Sequence, residues 1–155
     1  MPILATPDLM TLAQKCSPTV APTTMVTLVK TESRGNPLAL GLNGARLRAQ
    51  PKTESQAIAW VKYLDKNGYN FDVGLGQINI KNIRKYKLKP EQLFDSCTNL
   101  KVSGDILTKN YLQAKKNTNN PQLALRQALS MYNTGNSYAG FNNGYLEKIL
   151  TNIQK

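Results

Sequence analysis

The stretch LVKTES, from Leu28 to Ser33, sets a glutamate at the end of an apolar-spaced run. Met25, Leu28, Val29 and Glu32 fall at positions i, i+3, i+4 and i+7, so a helix here carries Glu32 on its buried stripe. A carboxylate in that place is either paired or functional, because burying it without a partner is costly. The function open to it is proton transfer. An apolar setting raises a carboxyl pKa toward neutrality, where the group can donate a proton and take one back. Asp72 is the other carboxylate of interest, and two readings of it are open. It could stand opposite Glu32 and hold a water for hydrolysis with inversion, or, between Asn70 and Gly74, it could cap a turn. The turn cap is the expectation. Glu54, Asp65, Glu91, Asp95, Asp105 and Glu147 all have structural explanations, such as an acid at a helix N-terminus.

Composition removes many other chemistries. There is no histidine, which excludes serine–histidine and cysteine–histidine nucleophiles and histidine-ligated zinc; two cysteines cannot form a four-thiolate metal site. No GxGxxG or GxxxxGK[ST] nucleotide loop is present, and neither a metal nor an organic cofactor is expected. What remains is chemistry by carboxylates, amides, hydroxyls, tyrosines and cations. The net charge of +11 suits an anionic partner such as nucleic acid, a membrane surface or a bacterial cell wall. The twenty Lys and Arg are nevertheless spread along the chain, and even the densest run, Lys81–Lys89, reads as a solvated face. With no aromatic residues clustered among the basic ones, nucleic-acid binding ranks last.

Cys16 and Cys97 form one pair, as a single disulfide requires. In the chain-entropy model a loop of that length contributes about 4–5 kcal/mol, and the bond implies an oxidising compartment. Two buried free thiols in a cytosolic protein is the reading left open beside it. The opening MPILATPDLM lacks the basic start and long apolar segment of a signal peptide. The preferred explanation is a mature form carrying an added Met1, the other being a cytosolic chain. No apolar run is long enough to span a bilayer.

The elements that must position these groups are mostly helical. At 155 residues the chain reads as a single domain, 1–155. A short helix is expected near Pro7 to Cys16, and a second from Pro22, with Gly35 as its C-terminal cap. Residues 35–51 are punctuated by glycine and proline and read as a loop with one short strand. Ser55 to Asn67 is helical, with Ala57, Ile58, Val61 and Leu64 on one face. YNFDVGLGQINI (Tyr69–Ile80) is the best extended segment, bent by its glycines; where it is extended, Gln77 and Asn79 point one way and Ile78 and Ile80 the other. Asp95–Asn117 is the longest helix. Another opens at Asn120–Pro121 and ends at Gly135, and a last amphipathic one carries Tyr145, Leu146, Ile149, Leu150 and Ile153. The fold class is mainly α (α+β), with one small irregular β element.

Three stretches stand in order along this framework: ES at Glu32–Ser33, GLGQIN at Gly74–Asn79 and MYNTG at Met131–Gly135. Together they resemble the lysozyme-like lytic transglycosylases, relatives of the soluble lytic transglycosylases and goose-type lysozyme. The likeness is greatest to the specialised ones of type IV secretion and conjugation systems, and it runs from about Cys16 to the chain's end. It implies a periplasmic enzyme that cuts the β-1,4 bond between N-acetylmuramic acid and N-acetylglucosamine in peptidoglycan. Glycan strands would be its substrate and secretion components its possible partners. By this likeness Glu32 protonates the leaving oxygen, then accepts a proton from the muramoyl C6 hydroxyl. That hydroxyl attacks C1 and leaves a 1,6-anhydro end, so a single essential carboxylate suffices.

The resemblance also implies roles for the polar residues of the three motifs. Ser33 holds a carboxylate or an N-acetyl group, or else makes a local hydrogen bond at the helix end. Gln77 is expected to bond the sugar, with turn geometry as the other reading; Asn79 is evenly divided between the two. Tyr132, with Asn133, is expected in the active site, where its hydroxyl could bond the acid or stabilise developing charge; the competing reading of Tyr132 is core, since it continues an apolar stripe. Tyr111 and Tyr138 are expected in the core, with lining of the cleft as the other reading. Gly76 stands where relatives often carry a larger residue, which suggests extra room or mobility beside the site. The chain's end soon after its last helix suggests no attached wall-binding module. A water-using muramidase and a weakly catalytic wall-binding scaffold are the competing functions.

Overall fold

The computed structural model describes residues 3–153. The chain runs α1 (Thr6–Cys16), α2 (Pro22–Ser33), β1 (Leu40–Leu42), α3 (Glu54–Lys66), β2 (Phe71–Val73), β3 (Ile78–Asn79) and α4 (Ile80–Lys85). A 3₁₀ turn, Pro90–Phe94, leads to α5 (Ser96–Lys115), α6 (Pro121–Thr134), α7 (Ala139–Asn142) and α8 (Tyr145–Ile153). This is a mainly α, lysozyme-like arrangement with one small antiparallel sheet.

Local chemistry accounts for the helix ends. Asp95 and Asn120 accept hydrogen bonds from the first free N–H groups of α5 and α6, and Thr53 does so for α3. Proline opens both α2 and α6. Gly135 takes the left-handed conformation that stops α6. At the end of α2 it is Arg34, at φ 57°, that makes the equivalent turn, one residue before the expected Gly35.

Two hydrophobic clusters result. The first joins α1, α2, α5, α6 and α8 through residues such as Leu9, Met25, Leu28, Leu100, Leu107 and Ile149. The second lies between the sheet, α3, α4 and the 3₁₀ turn, around Phe71, Val73, Val61 and Ile83. Helix α5 serves both, presenting Leu100 and Leu107 to the first and Val102 to the second. The turn between β2 and β3 crosses the same boundary. Its Leu75 is fully buried in the helical cluster, while Val73 and Ile78 on either side belong to the sheet.

Asn99, on α5 between these two apolar faces, holds the turn. Its Nδ2 donates to Val73 O (3.0 Å) and Leu93 O (2.9 Å), and its Oδ1 accepts from Gly76 N (2.8 Å) and Ser103 Oγ (3.1 Å). The side chain is completely buried and its hydrogen-bonding capacity is filled. A Cβ at Gly76 would lie 2.0 Å from Ser103 Oγ and 2.8 Å from the Tyr132 hydroxyl. The expected extra room at Gly76 is therefore absent, because glycine is what allows the turn to sit against α5.

In the sheet, β1 pairs with β2 and β2 with β3, all antiparallel. Gly41, Asp72 and Asn79 lie directly opposite one another across it, and so share a face. Leu40, Val73 and Ile78 form the neighbouring buried row. The bend expected in Tyr69–Ile80 is a tight turn in which Gln77 adopts φ 48°, so Gln77 does not extend the strand and its alternation with Asn79 fails. Cys16 and Cys97 are disulfide-bonded, joining the end of α1 to the first turn of α5.

Asn99→Ala would strand Val73 O, Leu93 O and Gly76 N in a buried setting. The expected loss is about 3–5 kcal/mol, measured as a fall in the urea midpoint. Unchanged stability would remove Asn99 from this role.

Candidate active site

Glu32 is in the last turn of α2, a helix of the first cluster, and it feels the charge of Asp72 on the sheet. Tyr145, at the start of α8, donates its hydroxyl hydrogen to Glu32 Oε2 at 2.6 Å. Asn152 Nδ2, near the end of α8, donates to Thr31 Oγ1 at 2.9 Å, so α8 is fastened beside Glu32 at two points. Tyr145 is itself buried in the helical core. Burial raises the Glu32 carboxyl to about 7, against an ordinary 4.5. The hydrogen bond from Tyr145 opposes that rise, the negative charge of Asp72 adds to it, and Lys148 opposes it weakly.

Asp72 faces the same space from the sheet. It lies in the middle of β2 and does not cap a turn, as had been expected; its Oδ1 accepts from Asn79 Nδ2 at 2.9 Å. Burial raises its pKa, and the Asn79 bond works against the rise. Both carboxyl groups thus have raised proton affinity, and the charge of Asp72 adds to the rise that brings the better-buried Glu32 near neutrality.

The other polar residues singled out in the sequence take varied places. Asn79 accepts from Lys81 N (3.0 Å) as the N-cap of α4, while its Nδ2 is shared between Asn70 Oδ1 (2.6 Å) and Asp72. Gln77 Nε2 donates to Ala39 O (3.0 Å) and Gly74 O (2.9 Å), closing the turn onto β1. Its Oε1 lies over Gly41, where a Cβ would come within 2.6 Å. Ser33 Oγ donates to Val29 O (3.1 Å) and accepts from Gly35 N (3.3 Å), a local helix-end pattern. Tyr132 donates to Gly76 O (2.5 Å), and its hydroxyl is held far above the ordinary tyrosine range by burial and by the charge of Glu32. Asn133 is exposed and accepts from Asn143 Nδ2 at 2.9 Å.

Tyr111 is partly buried against the helical core, in line with its expected role. Tyr138 is not in the core: it is 66% exposed. The reason is the break after α6, where Ser130 Oγ bonds Asn136 O and receives Gly140 N, folding α7 back and carrying Tyr138 outward. The contact that sequence reasoning missed is Tyr145 on Glu32. Its place on the apolar stripe of the last helix was visible, but nothing in the text of the chain ties it to a residue 113 positions earlier. Among the described residues, no group of three or more acidic or cysteine side chains is arranged to hold a metal ion.

A helical lobe and a small antiparallel sheet, with a carboxyl raised to about 7 at the end of α2, define a lysozyme-like fold. Residues 10–150 match the Transglycosylase SLT domain, and the chain belongs to that family. It is 41% identical over 145 residues to the type IV secretion system protein virB1 of Brucella abortus, covering 90% of this chain and 61% of that protein. It is similar to protein virB1 of Rhizobium radiobacter (36% over 143 residues; 92% and 59%). It is also similar to protein virB1 of Agrobacterium fabrum (38% over 144 residues; 92% and 58%). The chain therefore spans about three-fifths of the length of these curated relatives. No solved structure matches it.

The raised pKa has a thermodynamic signature. The folded chain binds the Glu32 proton more tightly than the unfolded chain, so stability falls as pH rises from 4.5 to about 7 and the loss is complete above that. Glu32→Gln should therefore stabilise the protein at pH 8 by up to about 3 kcal/mol and give no gain at pH 4. Denaturant unfolding at both pH values checks this; equal effects at the two would contradict it. Tyr145→Phe removes the bond that holds the pKa down, so a carbon-13 NMR titration should place the Glu32 carboxyl above its wild-type value of about 7.

Proposed function

We propose that this protein is a peptidoglycan lytic transglycosylase, with residues 1–155 acting as one catalytic domain. The observation that carries the reading is Glu32: a carboxyl raised to about 7 and steadied by Tyr145. Near neutral pH such a group is divided between its two protonation states, as one residue acting first as acid and then as base requires. Protonated, Glu32 gives its proton to the glycosidic oxygen between N-acetylmuramic acid and N-acetylglucosamine. As carboxylate, it takes a proton from the muramoyl C6 hydroxyl, which closes on C1 to form the 1,6-anhydro sugar. The nucleophile belongs to the substrate, so neither an enzyme nucleophile nor a bound water is needed. Asp72 supplies fixed negative charge across the boundary, favourable to the oxocarbenium character that develops at C1.

Sugar contacts are assigned on the same footing. Gln77 Oε1, with its own amide N–H groups engaged by backbone, is an acceptor held in place for a hydroxyl or N-acetyl N–H. Asn133, at the exposed end of α6, is accessible to an N-acetyl group. Tyr132 and Asn79 act by holding the Gly76 carbonyl and Asp72 respectively, and Ser33 by shaping the end of α2 beneath Glu32. The disulfide suits an oxidising compartment, and we assign the protein to the periplasm. No helix among the described residues is long and apolar enough to cross a membrane. The Brucella abortus relative is named as a type IV secretion system protein, which supports a link to such an apparatus; we assign to this protein the task of opening the wall locally for a secretion or conjugation complex.

Asp72 supports one second reading. Partly buried, with raised proton affinity and electrostatically linked to Glu32, it could activate a water and make the enzyme a hydrolytic muramidase. Mass spectrometry of fragments released from purified peptidoglycan separates the two. Transglycosylation gives products lighter by one water than hydrolysis, and Glu32→Gln should reduce their release by about 10²–10⁴-fold. Reducing-end products would establish hydrolysis instead, and no release by the wild type, with binding retained, would make the protein a wall-binding scaffold.

A further inference from the structure

A cavity of about 1030 Å³ lies away from Glu32, between α3 and the 43–53 loop. The buried stripe of α3 is Ala57, Val61 and Leu64; Trp60 and Tyr63 lie off that stripe and line the cavity with Tyr69. All three rings are exposed, at 39%, 53% and 44%. They form one array: Trp60 meets Tyr63 edge to face with centroids 6.0 Å apart, and Tyr63 stacks on Tyr69 at 6.3 Å. Arg46, Arg48 and Lys52 line the cavity from the loop, and none of the described lining residues is acidic. The sequence had suggested no cluster of aromatic and basic residues, because these are scattered between positions 46 and 69; folding gathers them.

The loop is held in place. Gln50 makes a two-way bond to β1, its Oε1 accepting from Leu40 N and its Nε2 donating to Leu40 O, both at 2.8 Å. Gln56 Oε1 accepts from Lys52 N at 2.9 Å. The cavity is therefore built before any ligand arrives, which reduces the entropy lost on binding.

We propose that this cavity is a second peptidoglycan-binding surface. Pyranose rings of a glycan strand lie on Trp60, Tyr63 and Tyr69, and stem-peptide carboxylates meet Arg46 and Arg48. It rests on peptidoglycan being the substrate. The chemistry is complementary at both ends. Pyranose C–H groups are weakly positive and lie against the negative faces of aromatic rings, while guanidinium groups pair with carboxylates in a two-pronged geometry. A bare glycan would use only the rings. A nucleic acid and a strand bearing acidic peptides would each use rings and cations, and of these two the strand is the polymer already assigned to the cleft. Because the cavity is separate from Glu32, a strand held there keeps the enzyme on the wall and raises the local concentration of bonds to cut.

The test is co-sedimentation with purified sacculi, using the Glu32→Gln protein so that no strand is consumed. Trp60→Ala/Tyr63→Ala in that background should weaken binding about tenfold, both to intact sacculi and to sacculi stripped of stem peptides by an amidase. Arg46→Ala/Arg48→Ala should weaken binding to intact sacculi alone. Thermal melting of each variant confirms that it is folded. Undiminished sedimentation of the folded aromatic variant overturns the proposal. So does stronger binding of a single-stranded oligonucleotide than of sacculi through the same residues. If wild-type protein releases no fragments yet sediments through Trp60 and Tyr63, the surface stands and the enzymatic reading falls.

Discussion

One buried amide organises the molecule. Asn99 reaches from the central helix to a strand carbonyl, a 3₁₀-turn carbonyl, a turn N–H and a serine hydroxyl, and leaves no hydrogen-bonding group unmet. A polar group with no exposure is tolerable only on those terms. Its effect is to set the β2–β3 turn at one height against α5. That height places Asp72 and Gln77 relative to Glu32, and it puts the Gly76 carbonyl within reach of Tyr132. Helical and sheet lobes are thus registered by directional bonds, where two apolar faces alone would leave some freedom to slide.

The candidate acid shows the opposite economy. Glu32 gains a useful proton affinity because its surroundings are unfavourable to charge, and it keeps a defined position because Tyr145 holds one oxygen. Stronger burial would leave it permanently protonated and stronger bonding would make it an ordinary carboxylate. The balance comes from groups on α2, α8 and β2, so it depends on how the lobes meet more than on any one segment.

Much of this was legible in the chain. Caps at Asp95 and Asn120, prolines at Pro22 and Pro121, and the periodic apolar stripes marked the long helices, because those signals act within a few residues. Glu32 stood out for the same reason: its burial followed from its place on a stripe. What escaped was set by tertiary approach. Gly76 looked like slack and is a point of tight contact, because Ser103 lies against it. Asp72 looked like a turn cap and is a strand residue, because strands of two and three residues offer too little alternation to read. Tyr145 sat on an apolar stripe and Asn99 in a mixed stretch of α5, with no local sign of Glu32 for the one or of Val73, Leu93 and Gly76 for the other.

The disulfide has a topological consequence. It closes a covalent ring from Cys16 to Cys97 that contains Glu32, Asp72 and the whole sheet, while Asn99, Tyr132 and Tyr145 lie on the tail beyond it. A protease that cuts the backbone anywhere inside the ring opens it without releasing a fragment. The long 43–53 loop is the exposed stretch where such a cut would fall. The nicked protein would remain one molecule, with the acid and the tyrosine that holds it still joined.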